Sequence, residues 1–581
     1  ISVYSNITSV IKGNFNINKM SVGFSNLEVK KIQKIFLNRK PSNLKSIVLN
    51  NLKKGALNGN IEIFFDNNFK IVDYNLNGFA KKFVGNLLDR IKVDKTDFIF
   101  SIKKDSGIIK DLTGKIKDFD ITNGQIQYLI KKDTEINAKA NTKIYLNQNK
   151  IKNLFQDFKE TKLFNNKIKL NLNATHQLKV IFDETLKMKN YSYNSEGEIS
   201  NSNIILNNPI ETQFLKDEIK SFNFDDSKFS LDLNSDDRNS LLLVGNYKLN
   251  EDNFNKFRIE NNFSESENRF KTSFEFSEFI TIPFLNYSKD NLKKAQINSN
   301  IVLKKNSFNI NNLEFKENKN SILINDLKIG KNNAINSLGF IKVKMKKNNF
   351  TISLDKKLKI FGTKYDATNL SKILNKNNEN NFFKKINKEV NINLDNIKTS
   401  FSKDLSNFNL IGKMQNGKFI KINSKGEFEE NKYLDISIRK DPDTDKKILE
   451  VYSDFPEPLL SDYSFFKGLS GGKLLYNSSY DEKISEKRWR NRIRNSGTLS
   501  KLKSKKKESR CKSLRLLTTG KQTLLKKNEC TVLGFEISDG VLYFEISRCI
   551  TSIIGIALNF DNCICCCCCD ILSNGLLLVQ M

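Results

Sequence analysis

Thirteen residues, 168–180, alternate without a fault. Ile168, Leu170, Leu172, Ala174, His176, Leu178 and Val180 share one parity, and Lys169, Asn171, Asn173, Thr175, Gln177 and Lys179 share the other. Successive side chains of a strand point to opposite faces, so a period of two means a strand with one apolar and one wet face. At ~3.3 Å per residue such a strand spans roughly 40 Å, long for an ordinary sandwich. It needs neighbours of similar length and something to cover its apolar side.

The rest of the chain supplies those neighbours. Similar alternation recurs at 200–206, 240–249, 269–276, 297–315, 321–329, 340–361 and 391–401, punctuated by Asn, Asp, Lys and Gly. Turn marks this frequent, without a strict repeat, predict an all-β meander and not a solenoid of identical units. Segments 109–130 and 405–428 read as hairpins, with Gly114, Asn123-Gly124 and Asn416-Gly417 as turn marks. Near 449–480 a strand meets a stiff elbow at Phe455, Pro456 and Pro458. A short helical turn at 461–466 and a Gly471-Gly472 break follow, then a second strand from Lys473.

Helices are predicted in four places. Residues 25–39 carry Leu27, Ile32, Ile35 and Phe36 at helical spacing, stopped by Pro41, and 44–52 run into Gly55. Phe79, Phe83, Leu87 and Ile91 step by four, the mark of a one-sided amphipathic helix, and 369–390 form a further interruption. The fold class expected is mainly β: an elongated, curled antiparallel sheet, a β-groove or taco-like array, with a few short helices. Four regions are expected: 1–150, a β module with short helices; 151–400, a long strand array; 401–484, the start of a C-terminal module; and 485–581, an irregular tail.

The tail differs in language. All nine cysteines lie beyond residue 510, as Cys511, Cys530, Cys549, Cys563 and 565–569, and the basic runs 488–494, with Trp489, and 501–507 lie beyond 484. It reads as out of frame or foreign; the alternative is a basic linker with a Cys-rich end. The chain opens on Ile1, not methionine, which implies a segment upstream.

The formal charge of +31 admits an anionic partner. The lysines are dispersed among Asn and Ile throughout, as an AT-rich genome writes surface positions, and are not gathered into a patch with interleaved aromatics. That argues against nucleic acid. Catalysis has little material. With one histidine in the chain, a Ser-His or Cys-His pair or a multi-His metal site exists only through His176, and its apolar parity reads as structural. Asp225-Asp226 and Asp236-Asp237 lack an EF-hand frame, and 468–472 lacks a P-loop ending. No catalytic, metal or cofactor residue is expected. The apolar stretches 550–560 and 571–579 fall short of the roughly twenty residues a membrane helix needs.

Three stretches resemble a known family. Residues 43–65, with Ile47 at the usual Trp, 109–130, and 405–480 follow the grammar of AsmA-like envelope proteins of the YhdP and TamB kind. The strongest match runs through Ser453-Asp454, Leu459-Leu460, 465–469 and 471–475, with the 455–458 corner replacing the family's first glycine. The resemblance implies intermembrane phospholipid transport and outer-membrane biogenesis in a Gram-negative cell envelope. It implies partners in phospholipid, in the inner and outer membranes, and in envelope proteins at either end. It also implies a periplasmic protein held to the inner membrane by an N-terminal helix missing here, and no enzyme activity. The candidate groove residues are Ile168, Leu170, Leu172, Leu178, Val180, Phe308 and Ile310. The alternatives are a periplasmic scaffold for outer-membrane protein assembly without lipid cargo, and a surface β-repeat binding protein.

Overall fold

In the computed structural model the chain is mainly β, a curled mixed sheet with a few short helices. The structure describes most of residues 2–480 apart from 6–16, 38–48, 148–165, 370–386, 461–471 and shorter gaps; beyond 480 it describes only 515–518 and 521–522. The described residues fall into two compact units. One holds Ile1–Ile210 and Ile219–Phe274, the other Glu211–Glu218 and Glu275–Leu576, so the division falls inside the 151–400 array.

The first unit runs β1 (Ser2–Ser5), β2 (Ile17–Glu28), α1 (Val29–Leu37), β3 (Leu52–Phe65), β4 (Ile71–Leu87), β5 (Ile91–Lys103), β6 (Ser106–Ile116), β7 (Phe119–Ile130) and β8 (Thr134–Leu146). It continues with β9 (Lys167–Phe182), β10 (Met188–Ile199), β11 (Ser202–Ile210), β12 (Ile219–Asn234), β13 (Asn239–Leu249), β14 (Asn255–Phe263) and β15 (Glu267–Phe276). Each strand pairs antiparallel with the next from β1 to β10, and β12 to β15 repeat this. β10 and β11 share one lane, both lying between β9 and β12.

A row of bulges crosses this sheet. Asn26, Lys82, Lys95, Asp111 and Asn123 all have φ near +50°, and register shifts accompany them in β2, β4, β5, β6 and β7. One extra residue per strand bends the strand and increases its twist, so a row of them curls the whole sheet. Neighbouring side chains hold the bulges. Asn58 accepts from the Asn26 amide at 2.7 Å and Asp97 from the Lys82 amide at 2.7 Å. The buried Thr96, Ser202 and Ser227 each donate back to a carbonyl two residues earlier. Gly114 has φ +154°, and a Cβ there would lie 2.7 Å from Thr96, so only glycine fits.

The bulges correct two expectations. Residues 79–87 are strand and not helix, with 88–90 outside the described residues; a step of four keeps one parity of a strand as readily as one face of a helix, and here the bulge at Lys82 puts Phe83 on the side of Ala80, opposite Phe79. Asn123-Gly124 is not a hairpin turn but the bulge in β7, which uses the same left-handed backbone. The predicted helix 25–39 survives as α1, beginning only after β2 ends at Glu28. Residues 49–51 are helical before β3, while the rest of the predicted 44–52 helix lies outside the described residues.

The second unit holds β16 (Ile280–Ile282), a 3-10 turn (Pro283–Leu285), β17 (Tyr287–Lys289), β18 (Ala295–Lys304), β19 (Ser307–Glu317), β20 (Asn320–Gly330), β21 (Ile335–Lys344), β22 (Asn349–Leu354) and β23 (Lys357–Asp366). After them come β24 (Glu389–Lys398), β25 (Leu405–Gln415), β26 (Lys418–Glu429), β27 (Lys432–Lys440), β28 (Lys447–Ser453), α2 (Glu457–Leu460) and β29 (Lys473–Tyr480). β18 to β23 and β24 to β29 are antiparallel, whereas β23 and β24 pair in parallel, which a crossover of a dozen or more residues permits. Most of the predicted 369–390 helix lies in that crossover, outside the described residues, and Val390 is already in β24. The predicted 461–466 turn likewise lies outside the described residues; a helical turn, α2, stands immediately before it. β25 and β26 pair Gln415 with Lys418, and Asn416-Gly417 between them lie outside the described residues.

Burial alternates almost perfectly here. Ile301, Ile310, Ile352, Ile392, Leu394, Leu410 and Val451 lie on one parity and are fully buried. Each contributes about 1.5–3 kcal/mol relative to exposure. The hairpin β16–β17 inserts Phe284 and Leu285 into this core, and buried polar groups fasten it. Asn348 donates to the Leu285 carbonyl at 2.6 Å and accepts from the Asp366 amide at 2.9 Å. Thr281 donates to the Phe214 carbonyl at 2.8 Å. The Lys289 ammonium donates to the carbonyls of Ser277, Asp290 and Lys293, and burial pulls its pKa down.

Replacing Asn348 by Ala would orphan a buried carbonyl and a buried amide, a loss of about 2–4 kcal/mol. Hydrogen exchange read by mass spectrometry should show protection collapsing in the peptide spanning 280–289. Lys347→Ala removes only a half-exposed ammonium 3.7 Å from Asp366 and should leave that protection within about 0.5 kcal/mol.

Candidate functional site

The first unit carries an apolar face that is only half covered. In the registers between its bulges, the inward parity reads Met20, Val22 and Phe24 on β2, Ile61 and Ile63 on β3, Leu76 on β4, Phe98, Phe100 and Ile102 on β5, and Ile126 and Tyr128 on β7. It continues through Ile136 and Ala138 on β8 and the even residues of β9. Tyr191 and Tyr193 on β10, Leu231 and Leu233 on β12, Leu241 and Leu243 on β13, and Ile259 on β14 complete it. No Lys, Arg, Asp or Glu stands on these registers from β2 to β15. Many of the side chains, among them Ile61, Leu76, Ile136, Leu231 and Leu241, are half-buried, unlike the sealed core of the second unit.

The predicted groove residues separate accordingly. Ile168, Leu170, Leu172, Leu178 and Val180 share one face of β9. Ile168 belongs to a cluster with Ile144, Leu146 and Ile204, against which the half-buried Leu170, Leu172, Leu206, Phe222 and Phe224 pack. Val180 is buried and Leu178 is 36% exposed. Phe308 and Ile310 belong to the second unit; Ile310 is 0% exposed in its core and Phe308 is half-buried on β19. Leu170, Leu172 and Leu178 are therefore partly accessible, while Ile168, Val180 and Ile310 are buried.

The floor of the face is smooth in places. Phe229 on β12 lies over Gly197 on β10, so close that a Cβ on the glycine would fall 2.7 Å from the ring. A ring laid over a glycine fills the missing side chain and leaves little relief.

Polar groups interrupt the face at several places, Ser227, Asn255 and Thr272 among them, and two of these places stand out. The His176 imidazole meets the Thr142 hydroxyl at 2.7 Å through Nε2, and the Tyr193 and Ser195 hydroxyls at 2.8 and 3.0 Å through Nδ1. Its ring stacks on Tyr193. Burial pushes the imidazole pKa down and the Tyr193 phenol up. The ring is therefore neutral near pH 7, donating from one nitrogen and accepting at the other. Ser195 is buried and no carboxylate orients the ring, so the pair lacks the third member of a nucleophile relay. The second place is Asn261 on β14, between Leu241 and Phe270 in register. It is 1% exposed, and neither its amide nitrogen nor its oxygen has a hydrogen-bond partner. Such a group costs about 1–3 kcal/mol.

Sequence reading found His176 on its apolar parity. It missed Thr142, Tyr193 and Ser195, which reach the ring only through strand pairing. Asn261 was detectable, being a polar residue on the parity of Phe257, Ile259 and Phe263. Among the described residues no group of His, Cys, Asp and Glu could hold a metal, and no helix is long and apolar enough to cross a membrane. No family model, curated protein or solved structure matches the chain.

Two outcomes follow. Because the folded face disfavours imidazolium, the unfolded chain takes up its proton first as pH falls. Stability should decline as pH drops below about 6.5 and level off once the lowered folded pKa is passed. Thermal melts from about pH 7.5 to pH 5 check this; the decline should vanish in His176→Gln, and a decline that persists there contradicts the assignment. Asn261→Leu, which removes an unsatisfied amide, should raise stability by about 1 kcal/mol in a denaturant titration.

Proposed function

We propose that this chain binds phospholipid along the apolar face of its first unit and serves its transport between the inner and outer membranes of a Gram-negative envelope, without catalysing a reaction. The observation that carries the reading is a face free of charged side chains from β2 to β15, with apolar groups left half-exposed. Acyl chains laid on it gain ~0.8 kcal/mol per buried CH₂, while a charged headgroup finds no counter-ion there and stays in water. One register offers much the same surface as the next, so a lipid meets no steep step when it shifts along the face. The AsmA-like grammar of 43–65, 109–130 and 405–480 supports the same reading, and with it a periplasmic location with an anchor at the inner membrane. Envelope proteins at either end belong to this proposal as well.

The sealed core of the second unit favours a second reading for that part, a scaffold for outer-membrane protein assembly that carries no lipid. Cargo separates the two. The full chain, purified from bacterial membranes and extracted with organic solvent, should yield phospholipid by mass spectrometry. The Leu170→Asp, Leu172→Asp variant, with two carboxylates on the β9 face, should lose most of it while keeping its β circular dichroism. A folded, β-rich wild-type protein that yields no phospholipid would turn the assignment to the scaffold.

A further inference from the structure

Among the described residues, Asn261 is the one amide whose nitrogen and oxygen are both buried without a partner. Its surroundings explain what such a group can take. It lies on the same face as the half-exposed Leu241, Leu243 and Ile259. Leucine at this position would match the parity of the strand and leave nothing unsatisfied. An amide retained there instead places one neutral donor and one neutral acceptor in an apolar floor, the usual way a greasy site fixes the orientation of its ligand. No charged side chain shares the face, so a phosphate would find no partner and the group recognised is neutral.

We propose that Asn261 is the polar contact of an acyl-ester site: its amide N–H donates to the ester carbonyl while the acyl chain lies over Leu241, Leu243 and Ile259. The assignment rests on the phospholipid reading and narrows it to the part of the lipid that is held, the ester linkage and not the headgroup. The His176 cluster cannot serve in this way, because the imidazole nitrogens are already bonded to the hydroxyls of Thr142, Tyr193 and Ser195.

The test uses the full chain and two fluorescent probes. One is diphenylhexatriene, a hydrocarbon without polar atoms; the other is parinaric acid methyl ester, a neutral ester. Wild type should bind both. Asn261→Leu should bind the ester about tenfold more weakly and the hydrocarbon as well as before. The infrared carbonyl stretch of bound methyl ester should be lowered in wild type and return to its apolar-solvent position in the variant. Asn261→Val, checked like the first by circular dichroism and melting, covers the case in which leucine packs badly, and should also weaken the ester selectively. Ester affinity unchanged in both variants, or ester and hydrocarbon weakened in parallel, overturns the role of Asn261 and leaves the apolar face as a lipid site. Failure of wild type to bind either probe overturns the lipid reading itself, and the ester site with it.

Discussion

An antiparallel sheet with one apolar face has to cover that face, and the rest of this molecule follows from how it does so. Helices do not supply the cover, for the described ones are few and short. The second unit buries most of its apolar parity and adds the β16–β17 hairpin, whose Phe284 and Leu285 complete the core. The first unit leaves the corresponding parity half-exposed over many strands. The same strand chemistry thus yields a packed interior in one unit and an accessible surface in the other.

Curvature in the first unit comes from backbone, not from side-chain bulk. Left-handed residues recur at matching places on successive strands, and Asn58, Asp97 and Asp225 on adjacent strands accept from the exposed amides of the bulges. A bulge costs ladder hydrogen bonds, and these carboxylate and amide oxygens replace them. The abundance of Asn and Asp therefore has a structural use beyond solvation, since these residues enter the left-handed region more readily than others.

Polar residues on an apolar parity are where local pattern and tertiary need conflict, and such conflicts gather at functional or strained sites. His176 resolves its conflict by finding three hydroxyls across the sheet. Asn261 leaves it open. The two look alike in sequence, each a polar letter on the parity of apolar neighbours, and only the strands beside them tell them apart.

The strands and their wet and apolar parities, including the whole of β9, were legible in the sequence, because a period of two depends only on adjacent residues. The helix misread at 79–87 arises because a step of four keeps to one parity of a strand as well as to one face of a helix. The turn misread at Asn123-Gly124 arises because a bulge uses turn-like backbone without turning the chain. Tertiary structure alone decided that the apolar parity is sealed around Ile310 and open around Leu170 and Leu178. It also decided that Thr142, Tyr193 and Ser195 surround one imidazole, and that Asn261 has no partner. Coverage and pairing depend on strands that lie tens of residues apart in the chain, and an alternating pattern is written the same way whether water, protein or lipid meets its apolar side.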